Sequence, residues 1–163
     1  MADPLENGCE QLTRALLIAS ADLTAIIPAA DIVREAEDGG ASKDRIICIA
    51  SKREVAEYGR TPAEILVWKV PVDVTLRLTT RSVQRLNTAL AAIADAMNTA
   101  PTGDAATLVI DWKIREVNDT DEGEVATEDN TRIHTKRYWF FTEPVEEMAL
   151  IFNDGAYFLL NGS

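Results

Sequence analysis

Between Leu66 and Leu78 every even position is apolar: Leu66, Trp68, Val70, Val72, Val74, Leu76 and Leu78. Lys69, Pro71, Asp73, Thr75 and Arg77 hold most of the odd positions. Successive side chains of a strand point to opposite faces, so this alternation predicts a strand with one buried face. At ~3.3 Å per residue it spans about 43 Å, longer than most globular strands. Pro71 has no N–H to give a ladder, so the stretch should be an edge strand or break near its middle. Such a strand could project from the domain or pair with a neighbouring subunit.

The rest of the chain arranges itself around that strand. Leu5, Cys9, Leu12, Leu16 and Ala19 recur at the helical interval, which predicts an amphipathic helix over 5–20. A short helical turn follows and closes at Pro28. Asp38-Gly-Gly-Ala-Ser42 reads as a loop, and Arg45 to Ala50 as a short buried strand. After the long strand, Val83, Leu86, Leu90, Ile93 and Met97 form the apolar stripe of a helix over about 81–98, with Thr79 or Thr80 as its N-cap. Two later strands are expected at 107–117 and 132–142. The segment between them, 116–129, carries seven acids and no base, and is expected to be the polar tip of a hairpin arm, at about 117–131. Asn153-Asp-Gly155 between two apolar runs predicts a C-terminal hairpin over about 148–160. The expectation is one α+β domain over 1–163: a mixed or antiparallel sheet, two main helices on one face, and an extended β-hairpin arm.

Composition narrows the function classes. A 163-residue chain with 47% hydrophobic residues is long enough to bury a core and is not disordered. No apolar run approaches the ~20 residues of a bilayer span. The polar, acidic N-terminus lacks the pattern of a signal peptide, so a cytosolic protein is expected. Sixteen Lys and Arg against 27 Asp and Glu give a net charge of −11. That disfavours binding to a phosphate backbone, although an acidic surface could line a passage through which DNA slides. Cys9 and Cys48 stand apart, outside any Cys-x-x-Cys or Cys/His cluster, and read as free structural thiols.

Catalytic patterns are missing. The one histidine, His134, falls mid-strand with no second ligand at metal-site spacing, and reads as a polar-face strand residue. There is no Gly-x-Ser-x-Gly elbow and no phosphate-binding glycine loop. The acids of 116–129 miss the EF-hand spacing. The expectation is therefore no enzyme, no metal and no cofactor.

Three passages resemble the phage tail terminator and tail-completion proteins and their neck-protein relatives. Leu12 to Ile32 looks like their N-terminal helix and its continuation. Lys69-Val-Pro-Val-Asp-Val-Thr-Leu-Arg-Leu78 is similar to their central strand, and Val83 to Met97 to the helix it feeds. Arg132 to Thr142, ending Tyr-Trp-Phe-Phe-Thr, looks like their aromatic late strand. The resemblance implies a virion protein of the tail or neck, assembled in the host cytoplasm. It also implies a homomeric ring, often of six subunits, that joins the tail tube to the head connector. On that footing Pro71, Asp73, Thr75, Arg77, Tyr138, Trp139 and Phe140 are the expected subunit interface. Glu116, Asp119, Asp121, Glu122, Glu124, Glu128 and Asp129 are the expected lumen or partner surface. The competing class is a small acidic inhibitor, a nucleic-acid mimic that occupies a basic groove.

Overall fold

The computed structural model describes residues 4–34, 44–61, 65–102, 107–109, 112–126 and 130–144. Its elements run α1 (Pro4–Ala19), α2 (Ala21–Thr24), a 3-10 turn (Ala29–Asp31), β1 (Ile32–Arg34), β2 (Arg45–Ala50), β3 (Glu54–Tyr58), β4 (Ile65–Thr79), α3 (Val83–Met97), β5 (Thr107–Val109), β6 (Trp112–Ala126) and β7 (Thr131–Pro144). The strands form one seven-stranded sheet in the order β1-β2-β4-β7-β6-β5, with β3 also on β4. β1 runs parallel to β2, and every other pair is antiparallel. The α+β class and the two main helices on one face are those expected from the sequence.

The alternation of β4 decides which face is covered. Val70, Val72, Val74, Leu76 and Leu78 are buried together with Ile46 and Cys48 of β2 and Tyr138 and Phe140 of β7. Against this face lie Leu5, Cys9 and Leu17 of α1 and Leu86, Ala89, Ile93 and Met97 of α3, in one continuous core. Each buried Val, Leu, Ile, Phe or Met among them contributes about 1.5–3 kcal/mol. Val83 does not join the stripe and is exposed. The cap of α3 is Ser82, whose Oγ accepts from Arg85 N at 3.1 Å, a few residues later than the threonines expected there.

β4 is neither an edge strand nor broken. β2 and β3 lie end to end along one side, and β7 pairs along the other from Trp68↔Thr142 to Thr79↔Thr131. Pro71 is accommodated by its neighbour. Its carbonyl accepts from Ser51 N at 2.9 Å, so its missing donor faces the residues between Ala50, the end of β2, and Glu54, the start of β3. The interruption sits where a ladder bond could not form.

Carboxylates from α1 take up donors at this interruption. Glu10 Oε2 accepts from Ala50 N and Glu6 Oε1 from Arg53 N, each at 2.9 Å. Glu10 Oε1 also accepts from Arg34 Nε at 2.6 Å, and Arg34 reaches Asn7 Oδ1 as well. Glu6 and Glu10 are one helical turn apart and both buried, so they present to the same side of α1. The Arg53 guanidinium lies 5.0 Å from the centroid of Trp68 and 5.9 Å from that of Trp112.

Three further expectations change. The strand foreseen at 107–117 is two, β5 and β6, which double back so that Val109 pairs with Trp112. The acidic segment is not a long tip: β6 continues to Ala126 and β7 starts at Thr131. The hairpin does not stand away from the body, because β7 stays on β4 throughout. The loop at 38–42 and the C-terminal hairpin at 148–160 lie outside the described residues. Among the described residues no helix is long and apolar enough to cross a membrane.

Candidate functional site

The odd positions of β4 face away from the helices, and register extends that outer face across the sheet. Pro71 lies beside Trp139, Asp73 beside Arg137, Thr75 beside Thr135, and Arg77 beside Ile133 on β7. On the other side, Ile47 and Ile49 of β2 flank Thr75 and Asp73. Asp73 takes a two-point contact from Arg137, with Nε and Nη2 at 2.7 and 2.9 Å. Trp139 sits between two cations, Lys69 Nζ at 4.7 Å and the Arg137 guanidinium at 5.6 Å from its centroid. The Thr75 and Thr135 hydroxyls meet at 3.1 Å. The Nε of Arg77 is buried and has no hydrogen-bond partner.

Period two thus gathers five of the seven expected interface residues, Pro71, Asp73, Thr75, Arg77 and Trp139, on one face, although Pro71 is buried there. The other two are corrected. Tyr138 and Phe140 point to the helix side and are 4% and 0% exposed. They are core residues, placed there by the same alternation that brings Trp139 outward. Burial, aided by Asp119, pushes the Tyr138 hydroxyl well above its usual pKa.

The acids of β6 have a local use that spacing alone does not reveal. On the helix side Asp119, Asp121 and Glu124 each reach diagonally to a base of β7. Lys136 Nζ lies 2.8 Å from Asp119 Oδ2, His134 Nε2 3.0 Å from Asp121 Oδ1, and Arg132 Nη1 2.8 Å from Glu124 Oε2. This three-rung ladder explains how so acidic a segment holds a strand. Glu116 and Glu122 are exposed; Glu116 accepts from Asn118 Nδ2 and Glu122 from the Thr120 hydroxyl, both at 3.0 Å. Glu128 and Asp129 lie outside the described residues. Replacing Lys136 with Ala is expected to cost less than about 1 kcal/mol, since the pair is half-exposed. Urea midpoints at low and high salt check this, because the loss should shrink as salt screens the ladder.

His134 is not on the polar face expected for it. It borders the core beside a cavity of about 120 Å³ lined by Val74, Leu90, Ile93, Asp121 and Lys136. Cys9 and Cys48 are free and buried. Burial, helped by Glu6, pushes the Cys9 thiol far up, and burial with Glu10 pushes Cys48 up to about 12, with Arg14 opposing. Neither thiol is a nucleophile at neutral pH. Among the described residues no group of His, Cys, Asp and Glu is placed to hold a metal ion.

No protein-family model matches the chain, and no curated protein matches it. Among solved structures, a chain in the virion of a native gene transfer agent particle is similar, with a TM-score of 0.62. Identity is 12%, and the match covers 87% of this chain and 99% of that one. At that identity the likeness is one of fold. A further solved structure matches at a TM-score of 0.45 and 12% identity, over 82% of this chain and 94% of that one, too loosely to carry an argument.

Proposed function

We propose that this chain is a structural protein of a phage-like particle, working by assembly rather than catalysis. The observation that carries this reading is the fold likeness to a virion chain that it matches over 99% of that chain's length. Within that class the reading is a tail-terminator or neck subunit. Its copies form a ring of about six between tail tube and head connector, in the virion, with no membrane and no cofactor. The tail-like order of helix, long strand, helix and aromatic strand supports this narrower assignment.

The outer face supplies the contact between copies. Trp139, with two cations over its ring, is an aromatic anchor, and Arg77 brings a cation with an unused donor. A face that meets a different surface of the next copy gives a heterologous contact, and such contacts close into a ring when the rotation between copies permits. Glu116 and Glu122 then stand free to face a lumen or a neighbour. The locking of Asp119, Asp121 and Glu124 onto β7's own bases counts against the nucleic-acid-mimic alternative, which needs those charges for its target.

Native mass spectrometry over a range of concentrations, with negative-stain imaging of the same sample, tests the reading. Rings of about six subunits, or stacks of them, are expected. The paired exchange Arg77→Glu with Trp139→Ala should abolish them while leaving a folded monomer by circular dichroism. A protein that stays monomeric alone and with tail-tube and connector proteins present sinks the ring assignment.

A further inference from the structure

Among the described residues, β6 has one long backbone edge without a neighbour. β5 pairs only with Trp112 and Lys113, and from Ile114 to Ala126 no described strand lies on the side away from β7. Two bulges divide this edge, one between Ile114 and Glu116 and one between Asp121 and Gly123. At the second, Gly123 takes a φ of 103° and its N–H is held by Asp121 Oδ1 at 2.9 Å. Between the bulges, Glu116 to Asp121 keeps unbroken register with Phe141 to Lys136. That is a regular strand of ordinary length, and along one side no described strand pairs with its amides and carbonyls.

The charges select the occupant. Every residue from Glu116 to Glu122 except Val117 is exposed; of the four acids, Asp119 and Asp121 already meet Lys136 and His134, whereas Glu116 and Glu122 meet only Asn118 and Thr120 among the described residues. A second copy cannot pair there through its own β6, because acids would stand opposite acids. Nor can it offer β7, whose Arg132, His134, Lys136 and Arg137 are the chain's densest run of bases, since β4 and β6 already take both of its edges. We propose that the β6 edge between Glu116 and Asp121 docks an extended, basic segment of a different protein by strand addition. Main-chain bonds supply the affinity, and Glu116 and Glu122 at the two ends of the edge favour a partner with cationic side chains. The proposal does not depend on ring formation.

The test uses the full chain and a capped peptide, Lys-Val-Lys-Val-Lys-Val. One control carries Glu for each Lys, and a second carries Pro for each Val, with charge kept and the ladder blocked. The basic peptide should bind, weaken at least about tenfold when salt rises to several times the physiological level, and slow hydrogen exchange at alternating amides between Val117 and Asp121. The two controls should not bind. The double exchange Glu116→Lys with Glu122→Lys touches side chains bonded only to Asn118 and Thr120, so the fold should stand while peptide preference reverses. Equal binding of the Pro control, or binding without alternating protection, would show charge attraction without strand addition and overturn the proposal. So would the absence of binding at millimolar peptide.

Discussion

Replacing Glu10 with Ala is expected to cost about 3–5 kcal/mol, a large share of the 5–15 kcal/mol typical of a whole domain. Glu10 is buried and accepts from both Ala50 N and Arg34 Nε. Its removal strands an amide at the end of β2 and leaves the Arg34 guanidinium, about a fifth exposed, with Asn7 as its remaining side-chain acceptor. The cost is that of abandoned partners rather than of one lost bond. Glu10→Gln keeps an acceptor for Ala50 and loses the charge facing Arg34, so it should fall between Ala and the natural residue. Urea unfolding gives the order, and hydrogen exchange at Ala50 gives the location. A loss below about 1 kcal/mol for Glu10→Ala would falsify the view that α1 holds the β2–β3 junction.

Stability should also fall steeply at alkaline pH. The thiols of Cys9 and Cys48 have folded pKa values raised above the ordinary value near 9, Cys48 to about 12. In the unfolded chain both release a proton as pH passes that ordinary value, while in the folded chain both hold it. The unfolded state then binds fewer protons, so stability is fully present below about pH 8 and is lost above it. Two thiols give a negative slope of roughly 3 kcal/mol per pH unit above the ordinary thiol value. The Tyr138 hydroxyl, also raised, steepens the loss above pH 10. Denaturant midpoints across that range measure the slope, and Cys48→Ala should roughly halve the part due to thiols while adding its own constant cost. A flat profile up to pH 11 would contradict the burial assigned to both cysteines.

Much of the fold was legible because it rests on periodicity. The alternation from Val70 to Leu78 named the core face of β4, although at the start of the run Leu66 is exposed and Val67 buried, and the stripe at Leu86, Ile93 and Met97 named that of α3. What could not be read depended on a second strand. Pro71 argues for an edge when seen alone. Its central position becomes possible through the break between β2 and β3 and through Glu6 and Glu10 at that break, residues far away in sequence. The acids of β6 looked like a loop because their partners Arg132, His134 and Lys136 are brought beside them by pairing alone. The same pairing decided between neighbours at 138–140: aromatic character marked Tyr138, Trp139 and Phe140 alike, and only register with β4 sent Trp139 outward and the others into the core. The open edge of β6 has no signature in one dimension, since an edge is defined by the strand that is not beside it.

The central position of β4 also sets a timetable. Asp73 and Arg137, which clasp across β4 and β7, are 64 residues apart. At synthesis rates of about 5–20 residues per second, β4 leaves the ribosome roughly 3–13 s before the strand that covers its second edge. Closing so long a loop places folding in the slower, millisecond-to-second regime of non-local topologies. During that interval Val70, Val72, Val74, Leu76 and Leu78 form an alternating apolar strand with one side unpaired, a template for pairing between nascent chains. The acids of β6 emerge within this same window, just before β7, and give the unfinished chain a net repulsion from its copies until β7 docks.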